Sequence, residues 1–148
     1  MAQNSHAHKE IVSVRVVDFP QEDVFELFSN PNKLVNWWGP NGFTNTFKTF
    51  EFRKGGKWSF IMHGPDGKDF PNEWIFVEIA PGKRIVADHL DKPQFRAEFE
   101  FEQLESRKTR IVFRMVFPTV ELYNSVKSYA PEKNEENFDR LENELLVL

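Results

Sequence analysis

The chain has 148 residues, a formal net charge of -4 and no cysteine. Its length suits a single domain with a sizeable core, and the absence of cysteine excludes disulfides, thiolate metal sites and a cysteine nucleophile. The mixed, slightly acidic charge disfavours nucleic acid and anionic membrane as partners, and no apolar run approaches the roughly 18 residues of a membrane span.

The N-terminal half begins with a polar segment, a strand and two short helices. Residues 1–9 are predicted to form a disordered tail ahead of one domain over residues 10–148, and the lack of an apolar signal segment predicts a cytoplasmic protein. Alternating β-branched residues in EIVSVRVVDF predict the first strand. The stretch PQEDVFELFSN has helical spacing, and NPNKLVNWWGP has Asn30 as a helix N-cap and Pro31 at the first helical position.

The middle of the chain is predicted to be rich in strands. Turn signals at KGG, GPDGK, PGK and ESRK recur about every ten residues between alternating segments. In FRAEFEFEQL, for example, Phe95, Phe99 and Phe101 fall on one face and charged residues on the other. This spacing predicts an antiparallel meander with one solvated face.

The C-terminus is predicted to be a long amphipathic helix that begins near Pro131. Glu136 and Arg140 have the spacing of an ion pair on its charged face. Because the apolar face must be buried, we expect it on the sheet, which gives an α+β fold: a curved antiparallel sheet of about six to seven strands wrapped around the helix. The apolar stripe consists of Phe138, Leu141, Leu145 and Leu148.

Four segments carry a resemblance to a known family: NKLVNWWGP, FEFRKGGKWSFIMHGPDGK, NEWIFVEIAPGKRIV and NFDRLENEL. They resemble the activator of heat-shock protein 90 ATPase homologue 1-like family, within the START-like (SRPBCC) helix-grip superfamily, and the resemblance covers about residues 11–147. The resemblance implies a seven-stranded sheet gripping the C-terminal helix, with a cavity or groove between them.

Inward-facing aromatic residues are the candidates for ligand contact. The adjacent Trp37 and Trp38 must point in different directions, so we expect one to anchor the helix and the other to line the cavity, with the assignment open. An empty apolar cavity of about 300 Å³ would cost roughly 7 kcal/mol, so the aromatics either form an ordinary core or leave a modest pocket. The candidate ligand-binding residues are Trp37, Trp38, Trp58, Phe60, Met62, Trp74, His89, Phe99, Phe113, Phe138 and Leu141.

Three functions follow from these features. The first is a ligand-binding domain for a small hydrophobic or aromatic molecule. The second, which the superfamily resemblance implies, is a polyketide cyclase or dehydratase-like enzyme, with His89 as the one catalytic candidate because it shares parity with Ile85 and Ala87. The third, which the family resemblance implies, is a chaperone-linked interaction module. No nucleophile elbow, paired carboxylates or phosphate-binding loop is present, so we assign no catalytic residue and expect neither cofactor nor metal. A monomer and a homodimer both remain open.

Overall fold

The computed structural model describes residues 9–147, which form seven strands and four helices. The predicted disordered tail therefore lies outside the described residues except for Lys9, and Leu148 also lies outside them. The elements, in chain order, are β1 Glu10–Val17, α1 Gln21–Ser29, α2 Pro31–Trp37, β2 Thr44–Phe50, β3 Lys57–His63, β4 Asp69–Ala80, β5 Arg84–His89, β6 Phe95–Glu105, β7 Lys108–Val116, α3 Val120–Val126 and α4 Ala130–Leu146.

The strands form one antiparallel sheet in the order β1-β7-β6-β5-β4-β3-β2. β2 to β7 are a continuous meander, and β1 returns to pair with β7 at the far edge. Register irregularities occur in the β2–β3, β4–β5 and β6–β7 pairs, and such bulges bend strands. The predicted α+β class and the curved antiparallel sheet are confirmed.

The two faces of the sheet differ as the alternation predicts. One face is buried and aromatic, with Phe99 directly opposite Phe113 and Trp58 opposite Trp74. The other face carries cross-strand ion pairs, such as Arg96 Nε to Asp88 Oδ1 at 2.8 Å. The apolar face therefore becomes the inner surface on which the helices pack.

The two short helices after β1 cover one part of this inner surface. α1 buries Val24, Leu27 and Phe28. α2 begins as predicted, because the Asn30 side chain accepts a hydrogen bond from the Asn32 amide at 3.0 Å and Pro31 occupies the first helical position. Within residues 9–147, no helix combines the length and apolar character needed to cross a membrane.

α4 lies against the inner surface through the predicted apolar stripe. Phe138, Leu141 and Leu145 are each at most 3% exposed, and this burial is what holds an amphipathic helix in place. The buried face of α4 begins one turn earlier in the chain than the predicted apolar stripe. Asn134 is also buried, and its side-chain amide donates to Ser13 Oγ on β1 at 3.2 Å.

The charged side of α4 also binds the sheet. Arg15 on β1 pairs with Glu135 at 2.9 Å, with Asp139 at 3.0 Å and with Glu142. Its guanidinium also lies 5.5 Å from the centre of the Phe138 ring. These contacts fix α4 to the edge strand, so part of the charged face of α4 is an interface with β1.

Candidate functional site

The two adjacent tryptophans have different roles. Trp37, the last residue of α2, donates its indole N–H to the Leu27 carbonyl at 3.0 Å and packs against Phe28, with ring centres 4.9 Å apart. Trp38 leaves the helix in an extended conformation and places its ring 5.1 Å from the ring of Trp58. Trp37 therefore anchors α2, and Trp38 is the ring that reaches the space between sheet and helix.

The segment after Trp38 is held by side chains of α4. Arg140 donates from its guanidinium to the carbonyls of Trp38 at 3.2 Å, Gly39 at 2.8 Å and Pro40 at 3.0 Å, and to that of Asn36 at 3.1 Å. Burial lowers the pKa of Arg140, but the group stays a cation because an arginine begins far above neutrality. We call this set of bonds the Arg140 clamp.

Two neighbours of Arg140 on α4 complete the attachment. The Asn137 side chain accepts from the Gly39 amide at 3.1 Å, and Glu136 accepts from the Asn41 amide at 3.1 Å. The predicted Glu136–Arg140 ion pair is wrong, because both side chains bind the backbone of this segment instead. Gly39 is required there, since its φ of 102° is strained for other residues.

A recess of about 170 Å³ opens between the sheet, α4 and the clamped segment. Aromatic and thioether side chains make most of its wall, and the polar groups are concentrated on β4, β5 and α4. Five of the predicted ligand-binding residues line it: Trp38, Met62, Trp74, His89 and Phe113. Its other side-chain walls include Asn72, Phe95, Met115, Lys133, Asn134 and Asn137.

His89 is buried in the wall with both ring nitrogens engaged. Nδ1 lies 2.9 Å from the Pro93 carbonyl oxygen, and Nε2 lies 2.9 Å from Asn72 Oδ1. Burial lowers the pKa of His89, although the Pro93 carbonyl and the charge of Asp91 oppose this shift. A neutral ring donates to only one of the two oxygens, and the other nitrogen faces an oxygen 2.9 Å away, so neither nitrogen is directed at a molecule in the recess without a rearrangement of the ring.

A much smaller space lies in the aromatic core. Trp58 and Phe99 line this void of about 20 Å³, and Trp38 and Trp74 line both the void and the recess. The remaining predicted site residues, Trp37, Phe60, Phe138 and Leu141, are buried at 3% exposure or less and wall neither space.

Two further polar features lie elsewhere. A larger depression of about 490 Å³ opens around Asp88 and Arg96, but its charged walls would be costly to desolvate against an apolar molecule. On the outer face, His63 lies 2.7 Å from both Asp69 Oδ1 and Thr46 Oγ1. This series resembles a nucleophile relay, but its side chains are largely exposed and lie on the opposite face from the recess.

The residues in 9–147 contain no cluster of three or more histidine or acidic side chains that could hold a metal ion. The sequence did not single out Arg140, which holds the segment after Trp38, as a site residue. It also did not single out six residues that line the recess: Asn72, Phe95, Met115, Lys133, Asn134 and Asn137. Asn72 had a usable signal, because it shares strand parity with Trp74 and Phe76 and therefore points inward.

Comparisons with known proteins agree with this architecture. The family model described as Activator of Hsp90 ATPase homolog 1-like protein matches residues 18–145. No curated protein matches the chain.

Solved structures from several bacteria share the fold. A crystal structure of a protein from Nitrosomonas europaea is 21% identical with a TM-score of 0.87, and the match covers 95% of this chain and 96% of that one. A solution structure from Arthrobacter aurescens is 24% identical with a TM-score of 0.87, over 97% and 90% of the two chains. The AHSA1 protein from Silicibacter pomeroyi is 17% identical with a TM-score of 0.74, over 93% and 98%.

Proposed function

Because the chain belongs to the Activator of Hsp90 ATPase homolog 1-like family and has the helix-grip fold, we propose that it is a ligand-binding domain for a small hydrophobic or aromatic molecule. The observation that carries the proposal is the recess of about 170 Å³ between the sheet and α4. Aromatic walls with a few convergent polar groups are typical of small-molecule sites.

The size of the recess limits the ligand. Drug-sized ligands occupy pockets of about 300–1,000 Å³, whereas an apolar cavity of about 150 Å³ accepts benzene. A recess of about 170 Å³ therefore suits a molecule of one ring or two small fused rings. The ring would pack against Trp38, Trp74 and Phe113, and polar substituents would face Asn137 and Lys133 on α4.

No observation specifically favours either alternative function, the cyclase or dehydratase-like enzyme or the chaperone-linked module. A cyclase or dehydratase would need a ring nitrogen of His89 directed at the substrate, and each nitrogen instead faces a protein oxygen at 2.9 Å. A chaperone-linked module would need an apolar docking surface. Val12, Val14 and Val16 are 45–47% exposed on the outer side of β1, but nothing along this strip selects a partner. Both alternatives, like the cytoplasmic location, stay predictions.

The test is to measure binding of indane and 1-indanone by calorimetry and by thermal unfolding. At a free concentration about 100 times the dissociation constant, a ligand stabilises the folded state by about 2.7 kcal/mol. We expect both compounds to raise the melting temperature, by about 5–10 °C for a chain of this size.

A pair of variants locates the binding site. Met62→Trp places an indole in the recess and should reduce affinity for both compounds at least about tenfold, which corresponds to 1.4 kcal/mol. Lys48→Trp adds the same ring at an exposed position of β2 and should leave affinity unchanged. Stabilisation by neither compound, or full affinity in Met62→Trp, would contradict the proposal.

A further inference from the structure

His89, in the wall of the recess, faces a hydrogen-bond acceptor at each ring nitrogen. Nδ1 lies 2.9 Å from the Pro93 carbonyl oxygen, and Nε2 lies 2.9 Å from Asn72 Oδ1. The Asn72 amide is oriented by its other end, because its Nδ2 donates to the Phe70 carbonyl at 3.0 Å. Turning this amide around would give Nε2 a donor but would bring two oxygen atoms together at Phe70.

The three contacts in this series, from Phe70 to Asn72, His89 and Pro93, need three N–H hydrogens. The amide supplies one of them, and a neutral imidazole supplies only one more, so one contact lacks a hydrogen in either tautomer. An imidazolium carries two N–H groups and satisfies all three contacts. The geometry around His89 therefore matches the protonated ring better than the neutral one.

The surroundings of His89 both favour and oppose its protonation. The rings of Trp74 and Phe95 have centres 4.8 and 5.2 Å from the imidazole centre, and aromatic rings at this distance can attract a cation. The charge of Asp91 favours the cation, whereas burial lowers the pKa of His89. Lys133 on α4 lines the same recess and opposes a second positive charge there. A small electrostatic change in the recess can therefore alter the protonation of the ring.

Other charged groups near His89 belong to the outer side of the sheet. Asp88 and Arg96 pair with each other at 2.8 Å. Lys9 and Glu98 line, together with that pair, the depression on the far side of His89. None of these four residues is part of the recess wall, so a molecule in the recess meets Lys133 and His89 instead.

The recess wall is cationic. Among residues 9–147, Lys133 is the one lysine, arginine, aspartate or glutamate that lines it. Lys133 Nζ is 3.9 Å from Glu136 Oε2, a loose contact, and Glu136 Oε1 accepts from the Asn41 amide. Behind the wall, Arg140 donates to the carbonyl of Gly39, a neutral partner that leaves its charge uncompensated. An anionic substituent suits this wall, and a cationic one does not.

We infer that the recess binds an aromatic carboxylate, and that His89 takes up a proton from solvent when this anion binds. The inference rests on the proposed function: the aromatic ring occupies the recess, and the ionised carboxylate faces Lys133 and Asn137 on α4. Without an anion, Lys133 and an imidazolium repel each other across the recess. The carboxylate attracts both cations, so its binding and the protonation of His89 reinforce each other.

The experiment compares indane-5-carboxylate with indane-5-carboxamide, which have nearly the same shape and differ in charge. Between about pH 7.5 and 5.5 the carboxylate stays ionised, because carboxyl groups have a pKa of about 4. Its affinity should rise about three- to tenfold as the pH falls over this range, and that of the carboxamide should change less than about twofold. Calorimetry in two buffers with different enthalpies of ionisation should detect proton uptake with the carboxylate and none with the carboxamide.

Spectra and variants assign the proton and the charge. In ¹⁵N spectra, both ring nitrogens of His89 should move to the imidazolium range when the carboxylate is added, and His89→Gln should abolish the pH dependence of its affinity. Lys133→Met should weaken carboxylate binding about threefold, in the range of a partly exposed ion pair, and leave carboxamide binding unchanged. Lys57→Met, at an exposed position of β3, is the control and should alter neither affinity.

Equal affinities of the carboxylate and the carboxamide at about pH 6 would overturn the inference, as would carboxylate binding without proton uptake. A pH dependence that persists in His89→Gln would also overturn it. Each of these results leaves the proposed function intact as long as indane or the carboxamide binds. If none of indane, 1-indanone and the two indane-5 compounds binds, the inference and the proposed function both fail.

Discussion

Replacing Arg140 with alanine removes the clamp between α4 and the segment that carries Trp38. The guanidinium makes four hydrogen bonds to backbone carbonyls, at 2.8–3.2 Å. A hydrogen bond to a charged group contributes about 1.5–3 kcal/mol when measured singly. These bonds share one side chain, and water can replace part of them in the variant, so we expect a total loss of about 2–4 kcal/mol in the free energy of unfolding.

Urea unfolding followed by tryptophan fluorescence measures this loss, and thermal unfolding should show a decrease of about 5–15 °C. Arg140→Lys should recover only part of it, because an ammonium group lacks the planar fork that reaches several carbonyls at once. Arg110→Ala is the control: Arg110 pairs with Glu102 at 2.7 Å on the outer face, where such pairs contribute about 0–1 kcal/mol.

The result that would refute the clamp is a stability of Arg140→Ala within about 0.5 kcal/mol of the wild type, the usual range for a surface substitution. The same conclusion would follow if Arg140→Ala and Arg110→Ala lost equal amounts. In either case α4 would hold the Trp38 segment by apolar packing alone.

Three further predictions concern stability. Leu141→Ala, at a position that is 0% exposed under α4, should cost about 2–5 kcal/mol in urea unfolding. Thr109→Val should cost about 1–3 kcal/mol, because Thr109 is 0% exposed and its hydroxyl donates to the Phe19 carbonyl at 2.8 Å. Burial lowers the pKa of His89 below its ordinary 6.5, so the unfolded chain takes up this proton first and stability should fall as the pH drops below about 6.5. His89→Gln should remove that part of the pH dependence, and an unchanged slope between about pH 7.5 and 5.5 would contradict it.

The fold could be predicted because its signals are local. Strand alternation and turn residues define the meander, and the spacing of Phe138, Leu141 and Leu145 defines the face of α4. The sequence also required the side chains of Trp37 and Trp38 to point in different directions. It did not determine which ring would reach the recess, because that depends on where α2 ends and on the extended conformation of Trp38.

The polar parts of the site could not be predicted in the same way. Arg140 has a local partner at helical spacing in Glu136, and its actual partners are carbonyls about a hundred positions earlier in the chain. The indole N–H groups of Trp58 and Trp74 are buried without a hydrogen-bond partner, and this too is a property of packing, since every tryptophan has the same donor in the sequence. Such contacts form only when α4 packs against the sheet. Strand alternation and helical periodicity do not encode that packing.

The most direct measurement of ligand binding between the sheet and α4 is an isotope-filtered NOE experiment with ¹³C-methyl-labelled protein and unlabelled 1-indanone. Met62 and Met115 line the recess from the sheet, so their methyl groups should show contacts to the aromatic protons of the ligand. Contacts to the valine methyls on the outer side of β1 instead, or no contacts under conditions that saturate binding, would contradict the placement of the ligand in the recess.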